Sequence, residues 1–221
     1  MVIEQQAATG STGGSAAMRR AMIDSQLRVS GVNDPAILAA MDRVAREDFV
    51  PESRRAVAYA DRAVPLGNGR VLMPALTHGQ MLIEAQVSAD DNVLLIGGGT
   101  GYLAAVVAPL VGKLTVVESD PALAGAAPVK AGEWVTGPLA KGAAANAPYS
   151  LILIDGAVEQ LSPELAAQLA DNGRVLTGLL DNGVMRLASG RKAGDSVVLQ
   201  PLAEADFAAL SEFAAPRKWS F

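Results

Sequence analysis

Three glycines, Gly97, Gly99 and Gly101, follow directly on the apolar run Val93-Leu94-Leu95-Ile96. An acid, Glu118, closes the next apolar run, 17 residues after Gly101. A strand that passes into a helix through glycines lets the backbone come close to a ligand, because no Cβ stands in the way. A carboxylate at the end of the next strand can accept both hydroxyls of a ribose. Loop and acid together point to a nucleoside-bearing cofactor at the carboxyl ends of the strands. The spacing also excludes a site. Tyr102 stands where the dinucleotide fingerprint G-x-G-x-x-G requires its last glycine, which puts a NAD-dependent oxidoreductase third among the readings. The plain alternative for these residues is a tight turn beside a solvated strand-end charge.

Composition narrows the chemistry further. The chain has 221 residues, half of them hydrophobic and 19% charged, enough for one domain with a sizeable core. Aromatics make up only 4%, so that core is built from Ala, Val, Leu and Ile. With no cysteine there is no disulfide, thiolate metal site or cysteine nucleophile. His78 is the single histidine, too little for a zinc site or a Ser-His triad, and no metal is expected. It reads as a helix-start or surface residue, with Thr77 as the helix cap. A net charge of −5 argues against nucleic acid as a partner.

These residues need a scaffold, and the chain reads in two parts of a single domain, 16–90 helical and 91–221 Rossmann-like, after a flexible tail at 1–15. In the first part, Met18, Met22 and Leu27 fall at roughly helical spacing. Asp34 and Pro35 start a second helix carrying Ile37, Leu38, Met41 and Val44. Pro51 opens a short third helix. Pro65 to Pro74 reads as loop, and Met81, Leu82 and Ala85 share one face of the next helix. In the second part, the runs 93–96 and 151–154 are apolar throughout, the mark of strands buried on both faces of a parallel sheet, and 114–117 and 174–177 read as further strands. Helices are expected over Tyr102–Leu110 and from Pro163. Asn182-Gly183 marks a hairpin between Val184–Leu187 and the strand before it, with Val197–Leu199 following. The expected architecture is α/β: a doubly wound Rossmann-like sheet with an antiparallel C-terminal hairpin and an N-terminal helical region.

Four stretches carry a resemblance to a known family. They are Ala21 to Leu27; Val44-Ala45-Arg46-Glu47-Asp48-Phe49-Val50-Pro51 with Ala58-Tyr59-Ala60-Asp61; Val93 to Tyr102; and Asp155 to Leu165. The sequence resembles the protein-L-isoaspartate O-methyltransferases, and Phe49-Val50-Pro51 followed by Tyr59-Ala60-Asp61 is the most specific part of the likeness. The resemblance implies S-adenosylmethionine as cofactor and isoaspartyl residues of damaged proteins or peptides as methyl acceptors. It also implies that Gly97, Gly99 and Gly101 line the methionine and ribose part of the cofactor, and that Glu118 holds the ribose hydroxyls. Ser119 and Asp120 would lie beside the adenine. Asp155 and Gly156 would belong to the cofactor-binding set as well, where the strand opens onto the substrate cleft. No general base is required, since a carboxylate is already a nucleophile at neutral pH.

The sequence departs from that family at three places. Met73 stands where the family has a serine at the transfer site, which leaves no catalytic side chain assigned. Leu95 replaces an acid before the glycine loop. Pro121–Gly142 is short, with Gly137-Pro138 in place of a Gly-Asp that would meet the adenine. These departures motivate a second reading, a lapsed homologue serving as a binding or scaffold protein. The first residues carry no secretory pattern and no run is long enough to span a bilayer, so a cytoplasmic protein without a membrane partner is expected. Homo-oligomerisation is left open. Trp134 and Trp219 read as packing residues, Arg19-Arg20 and Arg54-Arg55 as solvated faces.

Overall fold

The computed structural model describes residues 9–215. Of the tail expected at 1–15, the first eight residues lie outside that range, as does Trp219, while from Thr9 the chain is already helical. This first helix, α1 (Thr9–Met22), runs on through a turn of π-helix at Ile23–Leu27. Met22 and Leu27 are buried there, whereas Met18 is 40% exposed. Arg19 is no solvated charge: it approaches Asp42 at 3.9 Å and the Tyr59 hydroxyl at 3.5 Å.

Helix α2 (Pro35–Arg43) starts as its sequence dictates. The Asp34 carboxylate accepts from the amides of Ala36 and Ile37, and Pro35 fills the first position, where no amide is needed. Pro51 precedes a 3₁₀ helix, Glu52–Val57, on which Arg54 and Arg55 are exposed. The segment expected as loop between Pro65 and Pro74 is instead a β-hairpin, β1 (Val64–Gly67) and β2 (Arg70–Leu72). Its turn is Asn68-Gly69, both with positive φ (49° and 74°), the pairing that matches the twist of a two-residue hairpin. Pro65 fits because this two-stranded ribbon leaves its amide side unpaired. Helix α3 (Ala75–Ala85) begins after Pro74, so Thr77 is not its cap. The Thr77 hydroxyl donates instead to the carbonyl of Asp206, 3.2 Å away.

The remaining elements are β3 (Asn92–Ile96), α4 (Tyr102–Val107), β4 (Lys113–Glu118), α5 (Pro121–Gly125), β5 (Glu133–Thr136), β6 (Tyr149–Val158), α6 (Pro163–Gln168), β7 (Leu169–Asp181), β8 (Val184–Ala193) and β9 (Ser196–Glu204). They form one sheet in the order β5-β4-β3-β6-β7-β8-β9, parallel from β5 to β7 and antiparallel beyond. This is the expected Rossmann-like sheet with its C-terminal antiparallel strands. β6 continues past Asp155 to Val158, and β7 is far longer than the run 174–177 suggests. The change of direction after Gly97 reflects where the strands stop pairing: β3 and β6 are in register only as far as Ile96 and Ile154.

Alternation along the strands divides the interior into two cores. Val93, Leu95, Leu151 and Leu153 face the N-terminal helices and pack with Met22, Leu27, Met41, Met73, Leu82 and Leu103. Leu94, Ile96, Ile152 and Ile154 face the other way, onto Tyr149, Leu165, Leu210 and Phe213. Leu95, where an acid would fit the family pattern, is thus a fully buried core residue on the helical side. Asp155 continues the Leu151, Leu153 row and so points into the same layer.

Candidate active site

The carboxyl ends of β3, β4 and β6 meet at the glycine loop. Gly97, Gly99 and Gly101 all have positive φ (82°, 54° and 93°), backbone that side-chain-bearing residues rarely adopt. Their roles differ. Gly101 starts α4 and backs onto Trp134, 3.3 Å from where a methyl group on it would lie. Gly98, passed over by the sequence reading, is demanded by packing, since a Cβ there would meet Val116 at 2.4 Å. The loop's amides are also committed internally. Those of Gly97 and Gly98 donate to the carbonyl of Val117, that of Gly101 to Gly98, and that of Gly99 to Glu118 Oε2 at 2.6 Å. What this leaves at the loop is the Glu118 carboxylate and the bare Cα atoms of Gly97 and Gly99.

Glu118 is not a solvated strand-end charge; its side chain is 0% exposed. Oε1 accepts from the amide of Asp120 (3.0 Å) and from Arg70 Nη1 (2.8 Å), while Oε2 takes the Gly99 amide. The β1–β2 hairpin lies over this end of the sheet. Arg70 Nη2 comes within 3.0 Å of where a methyl on Gly97 would be, and Leu66 Cδ1 within 3.6 Å of one on Gly99. Asn68 donates to Asp120 Oδ2 at 2.7 Å. The Asp120 carboxylate also caps α5 through the Ala122 amide. The Asn68 amide above all, and then the Ala122 amide, hold its pKa below the ordinary carboxylate value. Ser119 is half-buried at the strand end between the two acids.

On the helical side of β6 lies a second polar group. His78, expected as a helix-start or surface residue, lies in the first turn of α3 but is wholly buried, with Nε2 2.9 Å from Asp155 Oδ1. Helical spacing explains this, because His78 shares the inward face of α3 with Met81, Leu82 and Ala85. Its ring stacks at a tilt on Tyr102, with centroids 5.5 Å apart. The Arg46 guanidinium sits 4.7 Å over the Tyr102 ring, and Phe49 meets Tyr102 edge-on at 5.6 Å. Arg46 Nε donates to the carbonyl of Ala58 (2.7 Å) and Nη2 to that of Met73. Burial pulls the Arg46 pKa below its ordinary value and pushes the Tyr102 phenol up. Arg46 Nη1, His78 Nδ1 and the Tyr102 hydroxyl, all buried, have no hydrogen-bond partner among the described residues.

The distinctive sequence segments are the parts that fasten this end together. The Thr100 hydroxyl donates to the carbonyl of Phe49 at 2.6 Å, tying the glycine loop to Phe49-Val50-Pro51. Tyr59 donates to Glu47, and its carbonyl accepts from Gln26 at 3.0 Å. Burial, then the Glu47 bond, drive the Tyr59 pKa upward. Met73, at the position the family resemblance gives a serine, is 1% exposed with its side chain in the core, so only its carbonyl faces a polar partner. Gly156 is held by packing: a Cβ there would strike Leu210 at 2.5 Å. Among the site's residues, Gly97, Gly99 and Glu118 come together, while Asp155 reaches them only through its carbonyl, beside Gly97, and turns its carboxylate to His78. Arg70, Arg46 and the buried setting of His78 escaped the sequence reading. For Arg70 the signal was the Asn-Gly turn just before it.

A parallel sheet whose inner strand turns through glycines over a buried acid at the end of its neighbour defines a Rossmann-like methyltransferase fold. Two solved structures share it across most of the chain. One, described as a protein-L-isoaspartate O-methyltransferase, superposes with a TM-score of 0.74 at 21% identity, covering 88% of this chain and 65% of that one. The other, from Plasmodium falciparum, is described as a putative protein-L-isoaspartate O-methyltransferase in complex with S-adenosyl-L-homocysteine, with a TM-score of 0.73 at 15% identity over 90% and 98% of the two chains. The family profile for protein-L-isoaspartate(D-aspartate) O-methyltransferase matches residues 17–214, and the chain belongs to that family. It is 36% identical over 193 residues to the protein-L-isoaspartate O-methyltransferase of Rhodopseudomonas palustris, covering 84% of this chain and 85% of the relative. It is 37% identical over 185 residues to that of Herpetosiphon aurantiacus, covering 80% and 83%. Among the described residues no helix is long and apolar enough to cross a membrane, and no cluster of three or more His, Asp or Glu is placed to hold a metal ion.

Proposed function

We infer that the protein is an S-adenosylmethionine-dependent methyltransferase that esterifies the carboxylate of isoaspartyl residues in proteins and peptides. The observation that carries this reading is Glu118, fully buried at the end of β4 and bonded to the Gly99 amide, in a chain of this family. The donor set suits a nucleoside: Glu118 to accept from ribose hydroxyls, Gly97 and Gly99 to admit the ligand against bare backbone, Ser119 and Asp120 beside the base. In the present arrangement Arg70 and Leu66 stand over those glycines, so binding requires the hairpin to give way. The bound cofactor supplies the methyl group on an electrophilic sulfonium. The chain's own contribution is placement. With a carboxylate as acceptor no proton has to be removed, and alignment alone is worth roughly 7–11 kcal/mol in well-oriented systems. Asp155, at the sheet end nearest the helical layer, and His78 behind it form the wall of the acceptor side. This reading makes the chain from residue 16 onward one domain, working in the cytoplasm on other proteins rather than on nucleic acid.

The test is transfer of labelled methyl from S-adenosylmethionine to an isoaspartyl peptide, with the aspartyl isomer as control. Base-labile label on the isoaspartyl peptide alone is the expected result. Tight binding of S-adenosylhomocysteine with no transfer would return the scaffold reading instead.

A further inference from the structure

Arg70 is a residue of the β1–β2 hairpin that the family resemblance does not account for, and it lies at the centre of the cofactor end. Its guanidinium bridges two places. Nη1 is 2.8 Å from Glu118 Oε1, and Nη2 is over Gly97, within 3.0 Å of where a side chain would begin. Only 16% of the Arg70 side chain and none of that of Glu118 is exposed. A buried cation that loses its counter-ion is strongly destabilised unless another anion replaces it. The proposed ligand brings ribose hydroxyls to Glu118, and these are neutral donors that cannot balance Arg70. The nearby acids are already engaged, Asp120 with Asn68 and the cap of α5, and Asp155 with His78. The anion that binding itself brings in is the α-carboxylate at the amino-acid end of the ligand.

We propose that Arg70 is a specificity residue for the methyl donor, exchanging the Glu118 carboxylate for the donor's own α-carboxylate when the ribose takes its place on Glu118. The inference rests on the cofactor reading above. Ligand and ion pair are complementary halves: the hydroxyls replace the cation on Glu118, and the carboxylate replaces the anion on Arg70. A planar two-pronged donor suits that exchange better than a point charge, because one prong can engage the new partner before the other leaves. A nucleoside lacking the amino-acid end would have to break the Arg70–Glu118 pair and leave the cation unpaired.

Calorimetric titration of the full chain with S-adenosylhomocysteine and with methylthioadenosine, which keeps the ribose and base but has no carboxylate, tests this directly. Wild-type protein is expected to prefer S-adenosylhomocysteine by about 100-fold or more, the scale of a charge-assisted pair gained against one lost. In Arg70→Gln that preference should fall below about tenfold, with S-adenosylhomocysteine weakened and methylthioadenosine tightened, since Glu118 no longer has a competitor. Arg70→Lys, which keeps the charge, should retain a preference between the two, and melting curves of both variants establish that they are folded. Movement of both ligands by the same factor in Arg70→Gln would overturn the proposal, making Arg70 a plug or a structural strut. Wild-type protein that binds neither ligand would overturn the cofactor reading, and this inference with it.

Discussion

The two ends of the same strands are built on opposite plans. At the amino ends of β3, β6 and β7, Asp91 receives Arg174 through both oxygens (2.7 and 3.0 Å), the Ser150 hydroxyl (2.7 Å) and the Ser88 amide (2.9 Å). Its carbonyl accepts from Gly112 and Lys113. Every polar atom of that cluster has a partner, and the result is a clamp. At the carboxyl ends, Glu118 is bonded to Arg70 of the hairpin, and Arg46, His78 and Tyr102 each keep a buried polar atom that has no partner among the described residues. A buried polar atom left unpaired costs about 1–3 kcal/mol. A fold tolerates that at one end when the other is fully satisfied. Reactivity and specificity are therefore expected to respond to changes at the carboxyl end, and stability to changes at the amino end.

The sharpest way to break this contrast is Glu118→Ala. Two charge-assisted bonds, each worth about 1.5–3 kcal/mol, are at stake, so S-adenosylhomocysteine affinity should fall by at least about 100-fold in a titration. Binding within about threefold of wild type would mean that the loop and acid are only a turn and its buttress.

At the opposite end, Arg174→Met should leave ligand affinity unchanged and reduce unfolding free energy by about 2–3 kcal/mol, below the range for a fully buried pair because the Arg174 side chain is 19% exposed. Its pH dependence is also set. Burial alone would raise the Asp91 pKa, but the bonds from Arg174, Ser150 and the Ser88 amide outweigh it and hold the value below 3.8. A carboxyl with a depressed folded-state pKa stabilises the protein above its unfolded value and loses that contribution as pH falls through the lower, folded one. The stability gap between wild type and Arg174→Met in urea unfolding should therefore be full at neutral pH and close below about pH 3.8. A gap that widens in acid would contradict the clamp.

Much of the architecture was legible because the physics is local. Asp34-Pro35 can only start a helix well, the all-apolar runs can only be doubly buried strands, and Asn182-Gly183 takes the positive φ pair (49° and 81°) of a tight hairpin. The first hairpin has the same Asn-Gly signal at 68–69, hidden by two flanking prolines. β5 was missed since an edge strand of four residues with Trp134 and Val135 half-buried has no periodicity to read. In the site, Glu118 and the glycines were legible as a pattern of spacing within one βαβ unit. His78 and Asp155 are 77 residues apart, and only the packing of α3 on β6 brings them together. Arg46 is charged in sequence yet wholly buried, its charge facing a tyrosine ring and backbone carbonyls from segments far away along the chain. No local rule places an arginine there.

The finest test of the contrast concerns Asp155, which is polar and at the functional end but, unlike Glu118, has a permanent partner in His78. Asp155→Asn keeps an oxygen that can accept from His78 Nε2 and removes only the charge. If the pair were a clamp like Asp91–Arg174, the loss would appear in stability. Placement at the wall of the acceptor side predicts otherwise. Stability should change by less than about 1 kcal/mol, since the hydrogen bond survives. S-adenosylhomocysteine affinity should stay within about threefold of wild type, because Asp155 lies on the helical side of β6, away from Glu118. Turnover on isoaspartyl peptide should fall by about three- to tenfold, because the neutral bond that remains is weaker than the charge-assisted one and holds the imidazole and the wall it supports less firmly. A loss of affinity matching the loss of turnover would move Asp155 from the acceptor side to the cofactor side, and a loss of stability alone would make this end of the sheet a second clamp.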